Sequence, residues 1–137
     1  MSAQGTYLGF DAGGKRLGIA IGQSITGHAR ALMVMPCQQG VPDWPALQAL
    51  IGEWRPAGLI VGIPRHVDGS ASSSTRLAER FAGELARRTG HSVHRIDEHL
   101  SSHAAEASLR ERGAKADVID AEAARIILET WLNEQSP

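Results

Sequence analysis

Residues 7–22, YLGFDAGGKRLGIAIG, constrain the fold more than any other stretch, because they predict a strand, a glycine turn and a returning strand. The first four residues form a short unbroken apolar run, as in a strand that is covered on both faces. Gly13 and Gly14 permit the backbone angles of a tight turn. Asp11 therefore lies where a buried strand meets a bare loop. This place suits a metal ion or a phosphate, although Asp also commonly begins a turn.

The rest of the chain predicts further strands and helices from apolar spacing and breaking residues. We expect a third strand at 28–35 that Pro36 ends, followed by a loop at 38–45. Downstream, the same signals predict, in order, a helix that Pro56 and Gly58 end, a strand at 59–63, a helix from the serines at 72–74 to Gly90, a strand at 93–96, and helices at 101–113 and 115–133. Close connections favour antiparallel pairing, and helical crossovers favour parallel pairing. The predicted fold class is α/β, with a mixed five-stranded sheet that has three antiparallel strands first, then parallel strands, and is flanked by helices.

Composition limits the class of protein without specifying its function. We expect 137 residues, 42% of them hydrophobic, to form a single domain over 1–137, structured from about residue 6 to residue 133. The net charge of -1 excludes a global positive field, so any nucleic-acid binding has to use a local basic patch. Cys37 is the only cysteine, which excludes an internal disulfide, and no apolar run approaches membrane-spanning length. We therefore expect a cytoplasmic protein without a membrane partner, as a monomer or a homodimer.

Acidic residues fall at the predicted ends of elements that belong to one sheet. Asp11 ends the first strand, Asp97 and Glu98 end the fifth, and Asp117 and Asp120 lie in the last helix. Helical spacing places Asp120 on or beside the stripe that faces the sheet, with Asp117 one turn earlier. Carboxylates that converge in this way select hard cations such as Mg²⁺ or Mn²⁺. The alternatives are ordinary loop acids after the fifth strand and, for Asp117, an acid favoured by the helix dipole.

Four ordered motifs resemble those of the YqgF family, also called RuvX. They are DAGGKRLGIA at 11–20, GIPRHVDGS at 62–70, DEHLSS at 97–102 and IDAEAA at 119–124. The resemblance implies a ribonuclease H-like fold related to RuvC resolvases. It also implies a nuclease, dependent on Mg²⁺ or Mn²⁺, that matures the 5′ end of pre-16S ribosomal RNA. A Holliday junction endonuclease and a non-catalytic ribosome assembly factor are the alternatives.

The resemblance also implies roles for particular acids. Asp11 matches the catalytic aspartate of the first strand, and Asp120 matches the aspartate of the last helix. Asp97 and Glu98 match the second acidic position, where Glu98 is favoured as the metal ligand although strand alternation leaves the choice open. Asp117, one helical turn before Asp120, resembles the paired aspartates of RuvC-type resolvases. The implied metal ligands are therefore Asp11, Glu98, Asp120 and Asp117.

Basic side chains near these acids are candidates for contact with a phosphate backbone. Lys15 and Arg16 follow Asp11 directly, and Arg65 with His66 follows the predicted fourth strand. Such contacts give position and not sequence specificity. A solvated hairpin end is the alternative interpretation of Lys15 and Arg16.

The chain departs from the usual family pattern in loops and retains every acid. Ala12 and Gly14 replace a bulkier residue and a Thr or Ser, His66 and Val67 replace Asn and Met, and His99 replaces Arg. These positions bear on substrate choice more than on the metal site.

An Asp-x-Gly hairpin also begins the nucleotide-binding domains of actin-like and sugar-kinase ATPases. Those proteins use two such domains around the nucleotide, and 137 residues have room for one.

Overall fold

The computed structural model describes residues 5–66, 68–97 and 109–135. Its elements, in chain order, are β1 (Thr6–Ala12), β2 (Arg16–Gln23), β3 (His28–Gln38), β4 (Val41–Pro42), α1 (Trp44–Trp54), β5 (Gly58–Ile63), α2 (Ser73–Thr89), β6 (Val93–Asp97) and α3 (Ala116–Glu134). Residues 109–111 are also helical and residues 112–113 form a turn, whereas residues 101–108 of the helix predicted at 101–113 lie outside the described residues. In the described part of the chain, no helix has the length and apolar character needed to cross a membrane.

The strands form one mixed sheet in the order β4-β3-β2-β1-β5-β6. The pairs β1–β2, β2–β3 and β3–β4 are antiparallel, whereas β5 pairs parallel with both β1 and β6. The predicted arrangement, antiparallel strands first and parallel strands after them, is confirmed. The sheet of the described residues has six strands and not five, because β4 was not predicted.

The predicted loop at 38–45 contains a tight hairpin between β3 and β4. Gln39 and Gly40 both have positive φ (52° and 83°), as a two-residue hairpin turn requires. The prediction that Pro36 ends β3 is wrong, because the strand continues to Gln38. The amide of Cys37 donates to the carbonyl of Lys15 (2.8 Å), so Cys37 faces β2. The amides of successive strand residues point to opposite edges of the strand. The nitrogen of Pro36, which carries no hydrogen, therefore faces the outer edge of β3, away from β2.

Local signals define the ends of α1 and α2. Ser72 and Thr75 form a capping box at the start of α2, and Gly90 ends it in the left-handed conformation (φ 72°), as predicted. Arg55, a non-glycine residue, adopts the same conformation at the end of α1 (φ 47°). Gly58 does not end α1 but begins β5.

Different helices cover the two faces of the sheet. The α1–α2 face carries a buried apolar cluster that includes Leu8, Phe10, Leu17, Ile19, Leu47, Ile51, Phe81 and Leu85. The α3 face carries a second cluster that includes Tyr7, Ala20, Ile60, Ile96, Ala124, Leu128 and Leu132. Because successive strand residues point to opposite faces, these two clusters assign a face to the positions of β1, β2, β5 and β6.

Helix α3 packs directly onto glycines of β1 and β2. A Cβ atom at Gly9 would lie 2.6 Å from Cβ of Leu128, and one at Gly22 would lie 2.9 Å from Cδ1 of Leu132. At Gly18 it would overlap the backbone carbonyl of Asp120. These three small residues alternate with large ones along the strands and let the helix backbone approach the sheet closely.

We expect Gly18→Ala to lower the free energy of unfolding by about 1–3 kcal/mol, because the added methyl group pushes the Asp120 turn away from the sheet. Urea unfolding measures this difference. Gly83→Ala is the matched control, since Gly83 lies in α2 with open space around its Cα. The control is expected to stabilise the chain by up to about 1 kcal/mol through helix propensity. Equal effects of the two variants would contradict close packing at Gly18.

Candidate active site

The carboxyl ends of β1, β5 and β6 meet at one edge of the sheet, because these three strands are parallel. Asp11 lies at this edge as the penultimate residue of β1, and Asp97 lies there as the last residue of β6. The loop after β5, which begins at Pro64, leaves from the same edge. The fold therefore brings three of the predicted motifs together.

Asp11 and Asp120 lie on the same face of the sheet. In β1, Tyr7 and Gly9 contact α3, so alternation places Asp11 on the α3 face as well. Asp11 pairs with Gly18 of β2, and the carbonyl of Asp120 lies directly over Gly18. Two acidic residues from opposite ends of the chain therefore lie near each other above one pair of strands.

Asp120 forms an ion pair with Arg16, at the start of β2. Nε of Arg16 donates to Oδ2 of Asp120 at 2.5 Å, and the side chains are 40% and 22% exposed. This hydrogen bond raises the pKa of Arg16, and the negative charges of Asp120 and Asp117 raise it further. Asp117 itself is exposed in the first turn of α3, and its Oδ1 accepts from the amide of Val118 (2.9 Å). Arg16 therefore interacts electrostatically with both Asp120 and Asp117.

Asp97 lies on the opposite face of the sheet from Asp11. In β6, Ile96 belongs to the α3 cluster, so the flanking residues Arg95 and Asp97 point to the α1–α2 face. Asp97 accepts from Nε of Arg65 at 3.0 Å, and Arg65 is also 3.8 Å from Glu79 of α2. Arg95 donates to the same Glu79 at 2.6 Å. Asp97 is thus part of an ion-pair network that joins the β5–α2 loop to β6.

The oxygen donors on the α3 face have the chemistry that Mg²⁺ or Mn²⁺ prefers. Asp11 and Asp120 supply two carboxylates there. Glu98, the favoured ligand at the second acidic position, lies outside the described residues. Among residues 5–66, 68–97 and 109–135, no group of three His, Cys, Asp or Glu side chains is close enough to hold a metal ion.

The remaining candidate cations flank this edge. Lys15 is exposed in the turn between β1 and β2, where its carbonyl accepts from Cys37 of β3. His66 is exposed in the β5–α2 loop, and its amide donates to the carbonyl of Ser70 (3.0 Å). Arg65 is already engaged with two carboxylates, so its charge is partly neutralised.

The solved structures that resemble this chain define its fold class. The structure of Thermus thermophilus RuvC in complex with a Holliday junction matches 96% of this chain and 95% of RuvC, with a TM-score of 0.57 and 18% identity. This likeness confirms the predicted ribonuclease H-like α/β fold.

Sequence comparison identifies the family within that class. The family model "RuvX: Holliday junction resolvase" matches residues 5–134, and the chain belongs to this family. A relative from Azotobacter vinelandii, described as "Putative pre-16S rRNA nuclease", is 43% identical over 98% of this chain and 98% of its own length. A relative from Burkholderia ambifaria with the same description is 47% identical over 96% of this chain and 91% of its own length.

Sequence reasoning did not identify the partners of the charged residues. It gave Arg16 a contact with substrate or a place at a solvated hairpin end, and Arg65 a contact with substrate, whereas each forms an ion pair with a candidate acid. It also gave no role to Gly18. The alternation of small and large residues in β2 was the available signal, because a strip of small residues indicates close approach of another element.

We expect a double-mutant cycle of Arg16→Gln and Asp120→Asn to give a coupling energy of about 0.5–1 kcal/mol, as for a partly exposed ion pair. Urea unfolding of the four proteins measures it, and about 1 M salt should reduce it by screening. The control cycle pairs Lys15→Gln with Asp120→Asn and should give a coupling near zero. Equal coupling in both cycles would exclude a specific Arg16–Asp120 pair.

Proposed function

We propose that this chain is a metal-dependent nuclease that cleaves the precursor of 16S ribosomal RNA to mature its 5′ end during ribosome biogenesis. The observation that carries the proposal is the placement of Asp11 and Asp120 side by side on one face, at the carboxyl edge of a ribonuclease H-like sheet. Relatives described as "Putative pre-16S rRNA nuclease", 43% and 47% identical over nearly the whole chain, support the choice of substrate.

Asp11, Asp120 and Glu98 are the proposed ligands of Mg²⁺ or Mn²⁺. The first two share the α3 face, and Glu98 follows Asp97, which points to the other face. We therefore assign Glu98, and not Asp97, as the second acid. Asp117 adds negative charge one helical turn from Asp120 and is assigned a supporting role. When bound, the metal lowers the pKa of a water molecule and stabilises charge on the scissile phosphate.

The local cations are proposed to hold the substrate backbone against this edge. Lys15 and Arg16 lie at the turn that follows Asp11, and His66 lies in the neighbouring loop. Arg65 has the additional task of fixing that loop to Asp97 (3.0 Å). Because the net charge is -1, Lys15, Arg16 and Arg65 have to supply the positive potential that a phosphate backbone needs locally.

We expect Asp120→Asn, which keeps the shape and removes the charge, to lower cleavage of a pre-16S 5′-leader RNA by about a hundredfold or more. Mutation of a residue that only hydrogen-bonds to a metal ligand typically lowers activity about 10–100-fold, and loss of the ligand itself should lower it at least as much. The assay uses Mg²⁺, Mn²⁺ and EDTA conditions, with circular dichroism to confirm folding. Metal-dependent cleavage by the wild type that survives in Asp120→Asn would contradict the assigned role.

A second function, cleavage of branched DNA, is favoured by the description of the matching family as a Holliday junction resolvase. The same assay therefore includes a synthetic four-way DNA junction. Cleavage of the junction alone would replace the RNA proposal with this one. Binding of the RNA by a folded protein that cleaves neither substrate would favour a non-catalytic assembly factor.

The two neighbouring acids of the 97–102 motif allow a matched comparison. We expect Glu98→Gln to abolish metal-dependent cleavage, because it removes a proposed ligand. Asp97→Asn should change the rate by less than about tenfold, because Asp97 serves an ion pair that contributes about 1 kcal/mol or less. Single-turnover cleavage rates measure both. The reverse order of effects would assign the ligand to Asp97 and would contradict a role for Asp97 that is limited to its ion pair.

A further inference from the structure

Arg16 is held within reach of both acids of the α3 face. In β2, Leu17 belongs to the α1–α2 cluster, so alternation places Arg16 on the face of Asp120. The carbonyl of Arg16 accepts from the amide of Gly13 (3.0 Å), which fixes the backbone of the turn. Asp11 pairs with Gly18, two residues from Arg16, and such diagonal neighbours are within reach of a long side chain.

The ion pair occupies one of the two carboxylate oxygens that Asp120 would offer to a metal. Nε of Arg16 donates to Oδ2 of Asp120 at 2.5 Å. A guanidinium and a divalent cation are both positive, so they repel each other and compete for the same carboxylate. A phosphate offers the guanidinium an equivalent partner, because arginine binds carboxylate and phosphate oxygens through the same planar donors.

We propose that Arg16 competes with the divalent cation for Asp120 and, once displaced, contacts the substrate phosphate beside the metal. The ion pair then offsets the charge of Asp120 until metal and nucleic acid arrive. A phosphate that binds Arg16 frees Asp120 for the metal, and a metal that binds Asp120 frees Arg16 for the phosphate. By linkage, each ligand therefore raises the affinity for the other by the same factor. This inference rests on the proposed function and makes Arg16 a substrate contact that is available only when Asp120 binds the metal.

Lys15 provides the matched control for this role. It is the preceding residue, carries the same charge and is exposed at the tip of the β1–β2 turn. Removing either side chain changes the net charge of the site region by one unit. Only removal of Arg16 deletes a donor to Asp120, so the difference between the two variants isolates direct competition from general electrostatics.

The first experiment titrates the protein with Mn²⁺ in the absence of nucleic acid, by calorimetry. Arg16→Gln is expected to bind Mn²⁺ about fivefold more tightly than the wild type, the factor that corresponds to an ion pair of about 1 kcal/mol. Lys15→Gln is expected to bind with nearly wild-type affinity. The rise in Tm on adding Mn²⁺ should be larger for Arg16→Gln, because tighter binding to the folded state stabilises it more. Unchanged or weaker Mn²⁺ binding by a folded Arg16→Gln would overturn the proposal.

The second experiment measures coupling between the two ligands. RNA affinity is determined by fluorescence anisotropy with Ca²⁺, chosen to limit cleavage, and with EDTA. The wild type should bind RNA more tightly with Ca²⁺, and Arg16→Gln should lose most of this gain. An equal gain in both proteins would overturn the exchange of partners.

Asp120→Asn separates failure of this inference from failure of the proposed function. If Asp120→Asn loses Mn²⁺ binding while Arg16→Gln leaves it unchanged, the metal site stands and the competition by Arg16 is rejected. If Asp120→Asn binds Mn²⁺ as tightly as the wild type does, the assigned metal site itself is rejected, and the inference with it.

Discussion

The close packing of α3 on the β1–β2 hairpin is the constraint on which the candidate site depends. Gly9, Gly18 and Gly22 let the helix backbone approach the sheet to a distance that side chains would prevent. Because Gly18 is also the strand partner of Asp11, the contact that holds the helix in place brings Asp120 next to Asp11. Fold stability and site geometry therefore rest on the same glycine, and a change there would affect both.

Strand alternation divides the charged residues between two tasks. Asp11, Asp120 and Arg16 belong to the α3 face, where carboxylates converge and a cation neutralises part of their charge. Arg65, Asp97 and Glu79 belong to the α1–α2 face, where ion pairs connect the loop after β5 to β6 and α2. Groups close together at one edge of a thin sheet thus belong to the proposed metal site on one side and to a loop-fixing ion-pair network on the other.

Charge in this protein is arranged locally and not over the whole surface. A net charge of -1 gives no long-range attraction for nucleic acid. The described site has instead paired its opposite charges, which limits the cost of gathering carboxylates at one place. An ion pair of this kind keeps the acids in position and is weak enough to exchange for stronger ligands, because exposed pairs contribute little free energy.

The sequence by itself determined most of the elements, with β4 and the end of β3 as exceptions, and the types of residue at their ends. Apolar runs and glycines predicted the β1–β2 hairpin with Asp11 at the end of its first strand. Helical spacing predicted the side of α3 that carries Asp120. The order of elements was sufficient to predict a mixed sheet. These features follow from local periodicity and turn chemistry, which neighbouring residues decide.

Only the tertiary structure decided which of these groups meet. Arg16 and Asp120 are 104 positions apart in the chain and pair through the packing of a helix on a strand. The face of Asp97 depends on the register of β6 against β5, and strand β4 depends on pairing with the end of β3. Registers and ion pairs are set by partners distant in the chain, and local sequence periodicity carries no information about those partners.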